Sequence, residues 1–183
     1  MNLRRLGIAV VTAALFATGL WSGIGSAGWL STDAQAVAVT ATLGASKEVP
    51  KPKGVSANAG GSFSAGVTRK ATGGTLSWRL TFHGLTGKAT AAHVHLGKAG
   101  KAGPVAVPLC GPCRSGVRGS AKINARTVSA LLAGTAYVNV HTVKNAAGEI
   151  RGQIRRGGTA PPPLTTTATT TVTTTSTYNP YPP

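Results

Sequence analysis

The chain has 183 residues, with 25 glycines and only 5% aromatic side chains, and it carries 19 Lys and Arg residues against 3 Asp and Glu residues. This length accommodates one folded domain with appendages. The scarcity of carboxylates argues against hydrolases and other enzymes that need paired acidic groups, and no catalytic residue is predicted.

The N-terminal residues 1–36 have the features of a secretory signal peptide. Arg4 and Arg5 precede an apolar stretch over residues 6–21, which has the length of a signal sequence and is short for a membrane-spanning helix. Cleavage is expected after Ala36, directly before the first strand-like run, or after Ala27. The sequence therefore predicts a secreted or envelope-located protein with no membrane span in the mature chain, and an uncleaved N-terminal anchor is the alternative.

From residue 37 onward, short runs alternate apolar and polar residues with the period of two that is typical of β-strands. The predicted strands cover residues 37–43, 63–67, 76–82, 90–96, 105–109, 119–123, 135–143 and 149–155. Gly-rich turns separate these runs. In the run 76–82, Trp78 shares the apolar face with Leu76, Leu80 and Phe82, so we expect it to be buried.

One short helix interrupts the strands. Asn124 is a good N-cap, Val128, Leu131 and Leu132 recur at helical spacing, and Gly134 stands where a helix-terminating glycine belongs. About eight short strands with one helix predict an all-β antiparallel sandwich as the fold class.

The two cysteines spell Cys110-Gly111-Pro112-Cys113, the spacing of a thioredoxin-type motif. A redox pair requires a helix after the first cysteine, but here a strand precedes it and a turn follows. A local disulfide that pins a loop is the main interpretation for an exported protein. Redox activity or metal ligation is the alternative.

Four stretches together resemble the CHRD (chordin) domain family of exported proteins. They cover residues 47–50 (Lys-Glu-Val-Pro), 92–95 (Ala-His-Val-His), 132–142 and 148–154. The resemblance extends over about residues 38–155, so residues 37–156 are predicted to be the folded CHRD domain. Its motifs contain the polar residues Glu48, Asn139, Glu149, Arg151 and Gln153.

The CHRD resemblance implies an immunoglobulin-like sandwich with limited similarity to copper/zinc superoxide dismutases. His93 and His95 resemble the dismutase strand that supplies two copper ligands, and His141 resembles a third. The folded region contains no Asp, and no fourth copper histidine is evident. Dismutase activity is therefore not carried over by the resemblance.

Strand geometry predicts where these histidines point. His93 and His95 share one face because residues two apart point the same way. The core faces are predicted to be Thr90, Ala92, Val94 and Leu96 in one strand, and Val138 and Val140 in the other. Tyr137, Asn139 and His141 then turn outward. Three imidazoles suit copper or zinc; the alternative is hydrogen bonding to neighbours such as Asn139, Thr142 or Glu149.

Glu48 and Glu149 are the only carboxylates beyond residue 36. Nothing in the sequence places them together as an acid–base pair. We expect each to pair with a local Arg or Lys, or with backbone N–H groups. Glu149 and Arg151 are two apart and are predicted to share a strand face.

The C-terminal residues 157–183 are rich in Thr and Pro and carry no charge, so they are predicted to form a disordered tail. The excess of basic residues is expected to attract polyanions such as anionic cell-envelope polymers, and their scatter disfavours nucleic acid; a basic exported protein with no specific anionic ligand is the alternative. The leading hypothesis is a non-enzymatic envelope or extracellular binding or structural protein, with such polymers or another extracellular protein as partner. The alternative is a copper-binding metalloprotein.

Overall fold

In the computed structural model, residues 36–161 are described, and they form one antiparallel β-sheet with a single α-helix. The predicted signal peptide lies outside these residues except for Ala36, and so does the tail beyond residue 161. The antiparallel all-β class with one short helix is confirmed. No helix within the described range is long and apolar enough to cross a membrane.

The strands are β1 (Val37–Gly44), β2 (Gly60–Lys70), β3 (Gly73–His83), β4 (Ala89–Leu96), β5 (Val105–Cys110), β6 (Val117–Asn124), β7 (Ala136–Thr142), β8 (Ile150–Gln153) and β9 (Arg155–Arg156). A 3-10 turn at Ala45–Lys47 follows β1, and the helix α1 spans Ala125–Ala133.

The strand order is β5-β4-β7-β8-β1-β2-β3-β6, with β9 paired to β1. Strands β5 and β6, at the two ends of this order, also contact each other, so the sheet is nearly closed. The predicted strand 149–155 is divided at Ile154, whose backbone N–H donates to Ala136 O at 2.9 Å. Strand β8 pairs with both β7 and β1, whereas β9 pairs with β1 alone, so the pairing with β7 ends there.

The predicted helix ends are confirmed. The Asn124 side chain accepts a hydrogen bond from Thr127 N at 2.8 Å, which satisfies one of the free N–H groups of the first turn. Gly134 ends the helix with a φ of 71°, a left-handed conformation that glycine adopts without a Cβ penalty. Val128 and Leu131 face the core.

The core contains the inward residues that the alternation predicts. Trp78 is only 4% exposed, and Leu76 and Leu80 are completely buried. The Trp78 ring lies against Gly119 of β6, where any side chain would collide with it. This contact ties β3 to its neighbour through an aromatic ring packed on bare backbone.

Strand β4 departs from the predicted core face at its two ends. Ala92 and Val94 are completely buried, but Thr90 is exposed and Leu96 is only partly buried. The pairing of β4 with β7 is irregular between Ala89 and Ala91. A bulge of this kind breaks the strict alternation of faces, which explains why Thr90 does not join the core.

Tyr137, Asn139 and His141 alternate with the core residues Val138 and Val140, but they are not exposed, because every residue of β7 is buried. Segments 97–103 and 143–149 contact the outer side of β4, β7 and β8 and cover it. We call this outer side the covered face. It forms a second, polar interior beside the apolar core.

Candidate functional site

Three histidines meet on the covered face. His93 and His95 come from β4, and His141 comes from its antiparallel neighbour β7. One ligand nitrogen of each histidine lies within 4.8 Å of the other two. The ring centroids are 4.9 Å apart for His93 and His141, 5.6 Å for His93 and His95, and 6.2 Å for His95 and His141.

Backbone carbonyls determine which ring nitrogens are free. His95 Nδ1 lies 2.8 Å from Gly103 O, and His141 Nδ1 lies 2.9 Å from Ala146 O. A carbonyl oxygen can only accept, so both Nδ1 atoms carry the proton. In the neutral rings the two Nε2 atoms then hold lone pairs. The expectation that the histidines bond to Asn139, Thr142 or Glu149 is replaced by these backbone contacts.

His93 contacts His141 directly. Its Nδ1 lies 3.1 Å from His141 Nε2 and donates a hydrogen bond to the lone pair of that atom. His95 Nε2 is buried and has no hydrogen-bond partner within residues 36–161. Three nitrogens from three rings therefore face one another, and only one proton lies between the His93 and His141 atoms.

Burial favours the neutral form of His93 and His141. It lowers the pKa of His93, and the neighbouring His141 and His95 lower it further. Burial also lowers the pKa of His141; the hydrogen bond to Ala146 opposes this effect and His95 adds to it. A neutral imidazole is the form that binds a metal ion.

The donor set fits a copper or zinc ion. Imidazole nitrogens bind both metals, and a ring N–H donated to a backbone carbonyl is the usual way a metal-binding histidine is oriented. Within the described part of the chain, these histidines are the one cluster of three or more His, Cys, Asp or Glu side chains that could hold a metal ion.

Tyr137 connects the histidines to a second group of polar residues. Its ring stacks on His95 with centroids 4.9 Å apart and an angle of 8°. The Arg151 guanidinium carbon lies 3.3 Å from the centroid of the same ring. Sequence reasoning missed this role of Tyr137, although its position in β7 beside Asn139 and His141 was the available signal.

Arg151 and Gln153 hold the loop that covers this face. Arg151 is 1% exposed, and its Nη2 donates to Lys98 O at 3.0 Å and Lys101 O at 2.9 Å. Gln153 Nε2 lies 2.9 Å from each of three carbonyl oxygens, those of Gly97, Gly134 and Ala136. Both side chains use backbone acceptors, so they anchor residues 97–101 whatever side chains that loop carries.

Glu48 is buried beside these residues. One oxygen accepts from Val49 N at 2.9 Å, which is one of the backbone N–H partners predicted for this carboxylate. Burial raises the pKa of Glu48 above the usual Glu value, although the Val49 hydrogen bond, the Arg151 charge and the Asn139 amide act in the opposite direction. Its second oxygen lies against Gly148 and is buried without a hydrogen-bond partner among the described residues.

Glu149 has a separate set of donors. Its carboxylate accepts from Thr86 N and Thr86 Oγ1, both at 2.6 Å, from Thr142 Oγ1, and from Asn145 Nδ2 at 3.1 Å. Burial raises the pKa of Glu149, but these hydrogen bonds outweigh it and the net pKa lies below the usual value. Asn145 also bonds to Lys53, so Glu149 organises three connecting segments at one end of the sheet.

Cys110 and Cys113 form a disulfide, as the main interpretation of the sequence predicted. Cys110 is the last residue of β5, and Cys113 N donates to Ala89 O at 3.0 Å. A turn leads from there into β6, and no helix begins at Cys110. The disulfide therefore closes the turn at the end of β5, and the hydrogen bond from Cys113 fastens this turn to the start of β4.

Comparison with known families identifies the domain. The family model for the CHRD domain matches residues 39–154. No curated protein and no solved structure matched the chain. The match spans more than half of the sequence and includes all the polar residues described above, so the chain belongs to the CHRD domain family.

Proposed function

We propose that this CHRD-family chain is an exported, non-enzymatic binding module whose basic surface holds anionic polymers of the cell envelope. One observation carries the proposal. Residues 36–161 contain 17 Lys and Arg residues, and all of them except Arg151 are exposed, whereas both Glu48 and Glu149 are buried. The accessible side chains of this region therefore carry charge of one sign, and such a field concentrates polyanions.

The distribution of the exposed cations favours a repeating polymer over nucleic acid. They lie on many elements, for example Arg79 on β3, Arg118 and Lys122 on β6, Arg126 on α1 and Arg155 on β9. Nucleic-acid binding uses a basic stripe or a helix that enters a groove. A flexible chain of repeated anions needs neither, because it can contact dispersed charges one after another. The predicted signal peptide supports a location where such polymers occur.

The test is equilibrium binding to purified acidic polysaccharide and teichoic-type polymer at low and high salt. The bound fraction should fall steeply as salt rises, because exposed charges more than a Debye length of about 10 Å apart are screened at 0.1 M ionic strength. A neutral polysaccharide of equal length is the control. Binding to neither anionic polymer at low salt would refute the proposal.

The three histidines favour a second candidate function, binding of a copper ion. The lone pairs of His95 Nε2 and His141 Nε2 provide two nitrogen ligands, and His93 Nδ1 provides the third once its proton moves to Nε2 of the same ring. This change of tautomer keeps the His93 ring neutral, so it requires no net release of a proton. The affinity of divalent metals for such ligands peaks at Cu²⁺, so we favour copper over zinc.

Titration of metal-free protein with Cu²⁺ and with Zn²⁺ at neutral pH tests this candidate. We expect one equivalent of Cu²⁺ to bind with a Kd below about 1 µM, more tightly than Zn²⁺. The double variant His93→Ala/His95→Ala should lose this binding. His83→Ala is the matched control, because His83 is exposed at the end of β3. Weaker binding, or binding unchanged in the double variant, would leave the histidines with a structural role.

A further inference from the structure

A cleft of about 610 Å³ lies between β1, the 3-10 turn, the last two strands and the loop that covers the sheet. Its walls contain four basic residues and one acidic residue, namely Lys47, Lys51, Arg151, Arg155 and Glu48. Thr40, Thr42, Ser46 and Gln153 add polar groups. This volume falls within the range of small-molecule sites, and it suits one or two sugar-sized units.

Arg151 is the buried cation of this cleft, and Glu48 is its buried carboxylate. Arg151 is 1% exposed, and the Tyr137 ring and two loop carbonyls fix its guanidinium. Its Nη1 is buried and has no hydrogen-bond partner among the described residues. A buried charge is costly unless it is paired, and a planar guanidinium with a free N–H edge is suited to a carboxylate or a phosphate.

Gln153 contributes an acceptor from the same wall. Its Nε2 faces three carbonyl oxygens, which fixes the orientation of the amide. Its Oε1 is buried and without a partner in the described structure. An amide oxygen accepts from a hydroxyl or an N–H group. The cleft thus offers a fixed cationic donor and a fixed neutral acceptor. The exposed cations Lys47, Lys51 and Arg155 lie at its rim, where Lys47 Nζ donates to Thr42 O and Lys51 Nζ to Ser46 O, both at 2.6 Å.

We propose that this cleft binds one anionic, hydroxyl-bearing unit of the envelope polymer, with the anion at Arg151 and a hydroxyl at Gln153. The inference rests on the proposed polymer binding and adds a specific subsite to it. A uronic acid residue and a glycerol phosphate unit both have this chemistry. The general basic surface would attract any polyanion, whereas this site requires an anion and a hydroxyl group in the same unit.

The experiment follows the Gln153 side-chain amide and the Gly100 backbone amide by NMR, since both residues line the cleft. The probes are tetramers of galacturonic acid and of glycerol phosphate, with a glucose tetramer as the neutral control. Lys51→Gln/Arg155→Gln removes two rim charges. Arg118→Gln/Lys122→Gln removes two exposed charges from β6, outside the cleft, and is the matched control.

We expect saturable shifts of both amides with one or both anionic tetramers and none with the glucose tetramer. Affinity should fall about tenfold or more in the rim variant and less than about twofold in the β6 variant. The tetramer that binds identifies carboxylate or phosphate as the anion.

If the two variants lose affinity for the tetramer equally and the long polymer still binds, the proposed binding in the cleft is wrong, whereas the proposed function stands. Equal binding of the glucose tetramer would overturn the anionic specificity. No binding of any polymer or tetramer would overturn both proposals.

Discussion

Strands β3 and β7 belong to the same sheet and have the same alternation of inward and outward residues, but their outer sides differ. On β3 the outward residues reach the surface: Arg79 is exposed, and Ser77 Oγ lies 3.2 Å from Ser120 Oγ of β6. On β7 the outward residues Tyr137 and Asn139 are only 3% and 2% exposed. The outward residues of β7 are therefore buried because loops cover that side of the sheet, whereas the outward residues of β3 remain at the surface.

This difference explains where the candidate sites lie. A polar group at the surface bonds to water, whereas a buried one must find a fixed partner or lose free energy. The covered face accordingly contains the histidine cluster and the Arg151–Tyr137 stack, and it also holds the buried atoms without partners on His95 and Gln153. The exposed half of the sheet contributes charge but no preorganised group.

The largest change in the free energy of unfolding is expected in the apolar core that β3 and β7 share. Trp78→Ala should lower the free energy of unfolding by about 3–5 kcal/mol, the range for large aromatic residues in cores. Arg79→Ala, the exposed neighbour, should change it by less than about 0.5 kcal/mol. Urea denaturation measures both. Similar values for the two variants would mean that the assignment of faces on β3 is wrong.

Glu149→Gln tests the hydrogen bonds that Glu149 accepts at one end of the sheet. Gln retains one acceptor oxygen but loses the negative charge and cannot accept from all four donors. We therefore expect the free energy of unfolding to fall by about 2–3 kcal/mol at neutral pH. Because the folded pKa of Glu149 lies below its unfolded value, its contribution is full above the unfolded pKa of about 4.3 and is lost as the pH falls towards the folded pKa. The variant should therefore lose less stability than the wild type on acidification.

Glu48→Gln is the matched control for this pH dependence. The folded pKa of Glu48 is raised, so its protonated form is favoured in the folded state and stability declines as the pH rises above about 4.3 towards the folded pKa. The substitution should remove a pH dependence of stability that has the opposite sign to the one contributed by Glu149. Two variants with the same pH profile would show that the two carboxylates are not in different environments.

Asn139→Ala and Ser77→Ala compare outward residues on the two strands directly. Asn139→Ala should lower the free energy of unfolding by about 1–2 kcal/mol, because the Glu48 carboxylate loses a polar neighbour inside the protein. Ser77→Ala should lower it by less than about 0.5 kcal/mol, because water replaces the contact of Ser77 with Ser120. Thermal unfolding of both variants measures this, and equal costs would remove the distinction between the covered and exposed halves.

The smallest effect is expected at the helix, which both regions contact through the core. Asn124→Ala removes the cap on Thr127 N and should cost about 1 kcal/mol. Asn124→Asp retains the acceptor and should restore most of the stability. If the two variants are equally destabilised, the capping interaction is not the cause of the loss.

Local sequence signals predicted most of the fold. Alternation located β1 to β7, and Asn124 and Gly134 marked the ends of α1. The spacing of His93 and His95 predicted a shared face, and the disulfide followed from an isolated cysteine pair. These features depend on residues a few positions apart, which is the distance over which backbone geometry dictates side-chain direction.

The break at Ile154, the exposed Thr90 and the arrangement of the candidate sites were decided by the tertiary structure. Alternation shows which residues share a face, but it does not show what packs against that face. The loop 97–103 has no periodic pattern, and it holds Arg151 and His95 through backbone carbonyls, which every residue has. The sequence by itself therefore determined that Tyr137, Asn139 and His141 lie together, whereas the long-range placement of that loop decided that they are buried.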